Sequence, residues 1–177
     1  GCSALEHVDD LYSLTRLEYD VFSHCVSLIS VDCSDKLTTI GSSAFFGCKA
    51  LVSIGDLSNV TSIESSVFRG CIALKSIGNM PKLESIGMQC FMGCTALETV
   101  GDLSSLKEIP SETFDGCTSL VSIGDLSNVT IIGSYGFNQC KKLTSIPNLG
   151  SLERVDQFAF SGCESLALLG NLRKLTS

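Results

Sequence analysis

Cysteine is the residue type in this sequence whose number and spacing most directly suggest chemistry. The chain of 177 residues contains ten cysteines, enough for a disulfide framework in a secreted protein. Equivalent residues of stacked repeats carry parallel Cβ vectors, which suit a disulfide poorly. The regular cysteines are therefore predicted to be free, buried thiols that pack as small hydrophobic side chains. We call these eight residues, at a constant step of 23, the cysteine row: Cys2, Cys25, Cys48, Cys71, Cys94, Cys117, Cys140 and Cys163.

The other two cysteines stand off this row. Cys90 takes a position that Ala44 and Val67 occupy in neighbouring repeats, so it is predicted to lie in the core. Cys33 lies at a predicted turn and is the candidate for an exposed, reactive thiol. The sequence has neither a C-x-x-C pair nor the Cys/His spacing of a zinc site, and it predicts no metal and no cofactor.

Catalytic motifs are missing from the sequence. It has only two histidines, His7 and His24, and it lacks a nucleophile motif, a Gly-rich phosphate loop and an acid pair at a distinctive spacing. We therefore expect a non-enzymatic protein.

Two further sets of polar residues invite a functional interpretation. Asn59 and Asn128 begin Asn-Val-Thr glycosylation sequons, which matter only if the chain passes through a secretory pathway. Acidic or amide residues also recur eight positions after seven of the row cysteines. A calcium site needs about six to eight convergent oxygens, so these side chains are predicted to bond backbone amides in turns instead. They are Asp10, Asp56, Asn79, Asp102, Asp125, Asn148 and Asn171.

Charge and hydropathy exclude two classes of partner. The net charge is −7, and the 12 lysines and arginines are scattered without a basic cluster, so nucleic-acid binding is not expected. The sequence contains no apolar run approaching the roughly 20 residues that cross a bilayer. We therefore expect no membrane insertion within this segment.

A fixed period in the range of about 20–29 residues is the signature of a leucine-rich-repeat solenoid. Counting each row cysteine as position zero, position +3 is Leu in every repeat, +6 is aliphatic and +20 is Phe. Short parallel strands are predicted near +3 to +7 and +12 to +15, and a helical or 3₁₀ turn is predicted before the Phe. Residues 1–177 are thus predicted to form one right-handed solenoid of about seven and a half units.

The ends of the chain lack the polar caps that solenoids normally carry. The segment is therefore predicted to belong to a larger protein, with open ends as candidates for self-association.

The spacing of stretches such as Val60 to Cys71 (VTSIESSVFRGC) and Leu37 to Cys48 (LTTIGSSAFFGC) resembles the BspA-like, treponemal-type leucine-rich repeats. The family's usual I-x-I-P is replaced here by I-G-[DN]-L, as in Ile54 to Leu57. Members of this family are often surface or secreted proteins of bacteria and protists implicated in adhesion, and some protist members are intracellular. The resemblance implies a non-enzymatic protein-interaction module, and it carries no site residues with it.

Position +4 varies most within the predicted strands, and variation on a constant scaffold is where a solenoid holds its specificity. The predicted ligand-facing residues, with an unidentified protein as ligand, are Glu6, Ile29, Val52, Lys75, Glu98, Val121 and Thr144. Two interpretations remain open. The chain is either a cell-surface or secreted module of adhesin or receptor type, or an intracellular scaffold subunit of a larger assembly.

Overall fold

The computed structural model describes residues 1–9, 11–170 and 172. Each repeat contributes two-residue parallel strands, numbered here in chain order. The first strand of each repeat occupies positions +5 and +6: β1 (His7–Val8), β3 (Ser30–Val31), β5 (Ser53–Ile54), β7 (Ser76–Ile77), β9 (Thr99–Val100), β11 (Ser122–Ile123), β13 (Ser145–Ile146) and β15 (Leu168–Leu169). The second strand occupies +14 and +15: β2 (Arg16–Leu17), β4 (Thr39–Ile40), β6 (Ser62–Ile63), β8 (Ser85–Ile86), β10 (Glu108–Ile109), β12 (Ile131–Ile132) and β14 (Arg154–Val155).

These strands stack as two parallel ladders along the molecule. In the first ladder β1–β3–β5, β7–β9–β11 and β13–β15 pair, and in the second β2–β4–β6–β8 and β10–β12–β14 pair. Each strand pairs with the strand one repeat away, as Ser62 pairs with Ser85. Both predicted extended pieces are therefore confirmed, and so is the leucine-rich-repeat solenoid.

The segment before the Phe, predicted as a helical or 3₁₀ turn, forms turns but no helix in the part of the chain that the structure describes. In an α-helix each N–H bonds four residues back within its own segment. Here successive N–H groups alternate between two partners. Ser43 N donates to Ser65 O of the next repeat at 2.9 Å, whereas Ala44 N donates to Gly41 O at 3.2 Å. Bonding between repeats thus replaces the helix.

The phenylalanines at position +20 form a row at the centre of the core. Consecutive rings from Phe22 to Phe160 stack with centroids 5.2 to 5.7 Å apart and nearly parallel planes. The five middle rings are fully buried, and Phe22 and Phe160 at either side are half-buried. They join the leucines, isoleucines and cysteines in one continuous cluster, which no 23-residue unit could form alone.

Glycine at position +7 lets adjacent repeats approach closely after the first strand. A Cβ on Gly101 would lie 2.7 Å from the Gly78 carbonyl oxygen, and one on Gly124 would collide with the Gly101 carbonyl. These glycines are therefore required by packing between repeats, not by an unusual φ.

Candidate functional site

The +4 side chains form a continuous exposed row beside the first strand ladder, which we call the strand-face row. Their backbones join directly, since Ile29 N donates to Glu6 O at 2.7 Å and Glu98 N donates to Lys75 O at 2.8 Å. All seven predicted residues of this row are exposed. The structure therefore brings together every residue of the predicted ligand-facing set.

The chemistry of the strand-face row changes along the molecule. Exposed aliphatic side chains lie at Ile29, Val52 and Val121, and the charged pair Lys75 and Glu98 lies between Val52 and Val121. The neighbouring +5 row carries mainly serine and threonine, so it offers hydroxyl groups beside a variable column. Such a surface can recognise a partner by shape and charge.

The cysteine row is a hydrogen-bonded internal row. Each thiol from Cys48 to Cys163 donates to a phenylalanine carbonyl 26 residues earlier, at sulfur–oxygen distances of 3.0 to 3.3 Å. Burial raises the pKa of Cys48 and of Cys94 to about 12 each. Because the thiolate is the reactive form, these groups are chemically inert at neutral pH.

All ten cysteines are free thiols, and Cys90 is fully buried as predicted. The predicted exposure of Cys33 is not what the structure shows. This side chain is half-buried, and desolvation, the largest cause, raises its pKa to about 11. The nearby carboxylates of Asp32 and Asp56 act in the same direction. Cys2 is the exposed member of the set.

Three of the recurring acidic or amide residues at position +8 bond turn amides, as predicted. Asp56 accepts from Ser58 N at 2.8 Å and from Ser58 Oγ at 2.9 Å, and Asp102 and Asp125 make the same backbone contact two residues on. In the repeat of Asn79, the residue two positions on is Pro81, which has no N–H to donate. Asn79 Oδ1 instead accepts from Asp102 N, in the following repeat, at 3.0 Å.

Asp10 and Asn171 lie outside the described residues. Elsewhere in the described chain, no group of three or more His, Cys, Asp or Glu side chains is placed to hold a metal ion.

The two sequon asparagines link adjacent repeats. Asn59 Nδ2 donates to Asp35 O at 2.7 Å, and Asn128 Nδ2 donates to Ser104 O at 2.7 Å. Ser105 holds the same position and bonds the preceding carbonyl equivalently at 2.6 Å. Asparagine at this position therefore has a structural role whether or not it is glycosylated.

One surface that the sequence analysis missed lies on the side of the turns. This turn-face groove, of about 440 Å³, crosses four repeats and is lined by positions +21, +22 and +1 from His24 to Gly93. The available signal was apolar substitution at positions that are polar elsewhere. Ile72 stands where other repeats have Thr95 or Thr118, and Met92 stands where they have Asp115.

The described part of the chain contains no helix with the length and apolar character needed to span a membrane. Two short parallel strands per 23-residue repeat, stacked around a Phe–Leu core, define a leucine-rich-repeat domain of the protein-interaction type. A family profile described as BspA type leucine rich repeat region matches six copies, over residues 1–98 and 84–175. The chain belongs to this BspA-type leucine-rich repeat family.

Solved structures share the architecture. A leucine rich cell surface protein from Faecalibacterium prausnitzii is 26% identical with a TM-score of 0.75, and the match covers 92% of this chain and 44% of that one. A leucine-rich repeat protein from Eubacterium ventriosum is 18% identical with a TM-score of 0.68, covering 97% and 59%. The T. pallidum leucine rich repeat protein is 23% identical with a TM-score of 0.56, covering 76% and 74%.

The last two likenesses show the fold alone. This chain spans less than half of the F. prausnitzii protein. No curated protein matches the sequence.

Proposed function

We propose that this chain is a non-enzymatic ligand-binding domain of a cell-surface or secreted protein of adhesin or receptor type, and that it binds a protein through the strand-face row. The observation that carries this proposal is the continuous exposure of the +4 residues on an otherwise uniform ladder. Family membership and the cell surface protein of F. prausnitzii support the location.

The location is tested on protein from its native source. Intact cells would be treated with a protease or an impermeant amine label, and peptides containing Asn59 and Asn128 would be read by mass spectrometry. Accessible peptides, or a glycan on either asparagine, are the expected results. Full protection in intact cells, with both asparagines unmodified and labelling only after lysis, would contradict the proposed location.

The role of the strand-face row is tested by binding of the purified chain to the cells or matrix to which the native protein adheres. Lys75→Ala with Glu98→Ala should weaken binding by about tenfold, which corresponds to about 1.4 kcal/mol for the pair. The control Lys107→Ala with Glu108→Ala removes the same charges beside the second ladder, and it should leave binding unchanged. If the Lys75/Glu98 variant and the Lys107/Glu108 variant bind equally well, the strand-face row is not the binding surface.

One observation favours a second candidate, an intracellular scaffold subunit. All ten cysteines are free thiols, and free thiols are typical of reducing compartments. The burial of most of them weakens this argument, because a buried thiol stays reduced in either location. Protection of the native protein in intact cells, together with its recovery in a cytosolic assembly, would favour the scaffold.

A further inference from the structure

The turn-face groove is built on a floor without side chains. Gly47, Gly70 and Gly93 occupy position +22 in consecutive repeats, each with φ between +68° and +74°. A Cβ on Gly70 would have only the Gly47 Cα nearby, at 3.9 Å, and one on Gly93 would meet nothing within 4 Å. At one end the His24 side chain lies against Gly47 and closes the floor. The glycines therefore leave an open channel running across the repeats.

The walls of the groove are apolar and partly exposed. Ile72 is 47% exposed and Val26 39% exposed on the side of position +1, whereas Phe46 and Met92 are half-buried on the side of position +21. An apolar lining of this kind, with a few placed polar groups, is characteristic of binding sites of about 300–1,000 Å³.

Two cations stand on opposite walls. Lys49 lies at position +1, and the Arg69 guanidinium lies 5.7 Å from the centroid of the Phe46 ring. Arg69 Nη1 also donates to Gln89 Oε1 at 3.0 Å, which fixes its orientation. Within residues 1–9, 11–170 and 172, neither cation has a carboxylate within 4.0 Å.

The sign of this charge is opposite to that of the molecule. The chain has 19 acidic residues and a net charge of −7, yet no acidic residue lines the groove. Potential complementarity selects partners and their orientation, so an apolar channel with two unpaired cations fits an acidic ligand that also presents an apolar side chain.

The N–H groups of the floor are not available to pair with a ligand strand. Gly47 N donates to Arg69 O at 2.8 Å, and Gly70 N donates to Met92 O at 2.9 Å. Because these N–H groups are already bonded within the protein, recognition in the groove depends on side chains, unlike strand addition to a free sheet edge.

From this geometry we propose that the turn-face groove binds a short acidic peptide segment of a partner protein, with an apolar side chain in the glycine channel and carboxylates on Lys49 and Arg69. Four repeats at about 4.8 Å span about 14 Å, the length of about four extended residues. This site is separate from the strand-face row and does not depend on it.

The test measures fluorescence anisotropy of labelled six-residue peptides with the purified chain. Glu-Glu-Leu-Phe-Glu-Glu should bind saturably, whereas Lys-Lys-Leu-Phe-Lys-Lys and Glu-Glu-Ser-Ser-Glu-Glu should not. Lys49→Glu with Arg69→Glu should weaken binding of the first peptide at least about tenfold, and higher salt should weaken it further. Lys36→Glu with Lys107→Glu changes the net charge equally at exposed positions outside both the groove and the strand-face row, and it should leave the affinity unchanged.

A second pair of variants tests the channel itself. Asparagine tolerates a left-handed backbone better than most residues, so Gly70→Asn should fold and place a side chain in the groove. Gly116→Asn places asparagine on the same left-handed backbone, with φ +73°, but Gly116 does not line the turn-face groove. Abolished binding for the first variant and retained binding for the second, with equal circular dichroism spectra, are expected.

Three results would overturn the proposal. The first is that the acidic apolar peptide shows no saturable binding; the second is that both charge-reversed double variants lose the same affinity for it; the third is that both asparagine variants bind it equally well. Each leaves the strand-face row untouched, since that row is tested with Lys75→Ala and Glu98→Ala. If the strand-face test fails while the acidic peptide still binds, the proposed function is contradicted and the groove proposal stands.

Discussion

At the level of single residues, the row cysteines combine two properties that a stacked repeat requires. The thiol is apolar enough to lie in the core, and its S–H reaches a carbonyl 26 residues earlier, in the adjacent turn of the solenoid, as Cys94 Sγ reaches Phe68 O at 3.0 Å. The Phe68 carbonyl also accepts the Cys71 N–H at 3.0 Å. Each such carbonyl therefore has two donors, one from its own turn and one from another repeat.

The burial of these thiols predicts the order in which they react. With a thiol-specific reagent in native buffer, Cys2 should be modified first and Cys33 more slowly, because its raised pKa of about 11 leaves little thiolate at neutral pH. Cys94 should react only in denaturant. Mass spectrometry of peptides over a time course measures all three, and modification of Cys94 before Cys33 in native buffer would contradict the structure.

A second residue-level feature is the carboxylate of Glu64, which connects three repeats. It accepts from Ser42 N and Ser42 Oγ, each at 3.0 Å, and from Arg16 Nη2 at 2.8 Å. The Ser42 hydrogen bonds, with a smaller contribution from Arg16, lower the pKa of Glu64.

The lowered pKa gives the stability contributed by Glu64 a defined pH dependence. A carboxyl group with a folded pKa below its unfolded value of about 4.3 stabilises the protein above that value, and the contribution is lost as pH falls through the folded pKa. Glu64→Gln should therefore destabilise the protein at neutral pH, by about 1 kcal/mol or less because the side chain is partly exposed, and by almost nothing in strong acid.

Urea denaturation of wild type and Glu64→Gln at neutral and acidic pH measures this difference. Glu153→Gln, an exposed change on the same face, serves as the control and should show no pH-dependent difference. A Glu64→Gln effect that stays constant across the pH range would contradict the assignment.

At the level of secondary structure elements, the sequence predicted the two strands of each repeat but not the turns between them. The strands follow from β-branched residues at fixed positions, such as Ile63 and Ile86 in the second ladder. The turns depend on where each N–H finds its acceptor. Ser43 bonds Ser65 in the next repeat, and a one-dimensional pattern of residue types does not distinguish that bond from a bond within the same turn.

Glycines at two positions of the repeat should respond differently to alanine. Gly124→Ala would press a methyl group into the Gly101 carbonyl of the preceding repeat, so it should cost several kcal/mol or prevent folding. Gly93→Ala has space for its methyl group but requires φ near +72°, so it should cost about 1–2 kcal/mol.

Urea unfolding curves of the two alanine variants and of Gly93→Asn measure these costs. Asparagine should be tolerated better than alanine at position 93, because it adopts left-handed backbone more readily. An equal loss of stability in Gly124→Ala and Gly93→Ala would contradict the distinction between packing and backbone conformation.

At the level of the whole molecule, the two candidate surfaces differ in how far the sequence could predict them. The strand-face row follows from the repeat, because position +4 varies on an otherwise constant scaffold, and Lys75 and Glu98 are indeed exposed. The turn-face groove needs the spatial neighbourhood of residues such as Phe46, Arg69 and Ile72, which lie in different turns. Their side chains form one surface only after the path of the backbone between the strands is known.

The stacked architecture predicts that a disturbance in the middle of the molecule spreads to neighbouring repeats first. Phe91 is fully buried and stacks on Phe68 at 5.2 Å and on Phe114 at 5.3 Å. Phe91→Ala should therefore cost about 3–5 kcal/mol. Because the stability of a solenoid is a sum of repeat and nearest-neighbour terms, amides of the adjacent repeats should lose more protection than those of distant repeats.

Native-state hydrogen exchange with mass spectrometry measures that gradient. In Phe91→Ala, the amides of Phe68 and Phe114 should exchange faster by a larger factor than those of Phe22 and Phe160. The comparison variant Phe160→Ala removes a half-buried ring at the C-terminal end of the stack. It should lower the free energy of unfolding by less, and it should accelerate exchange mainly at that end. Equal acceleration of all amides by both variants would mean that the chain unfolds as one cooperative unit, and the nearest-neighbour description would then be wrong for a stack of this length.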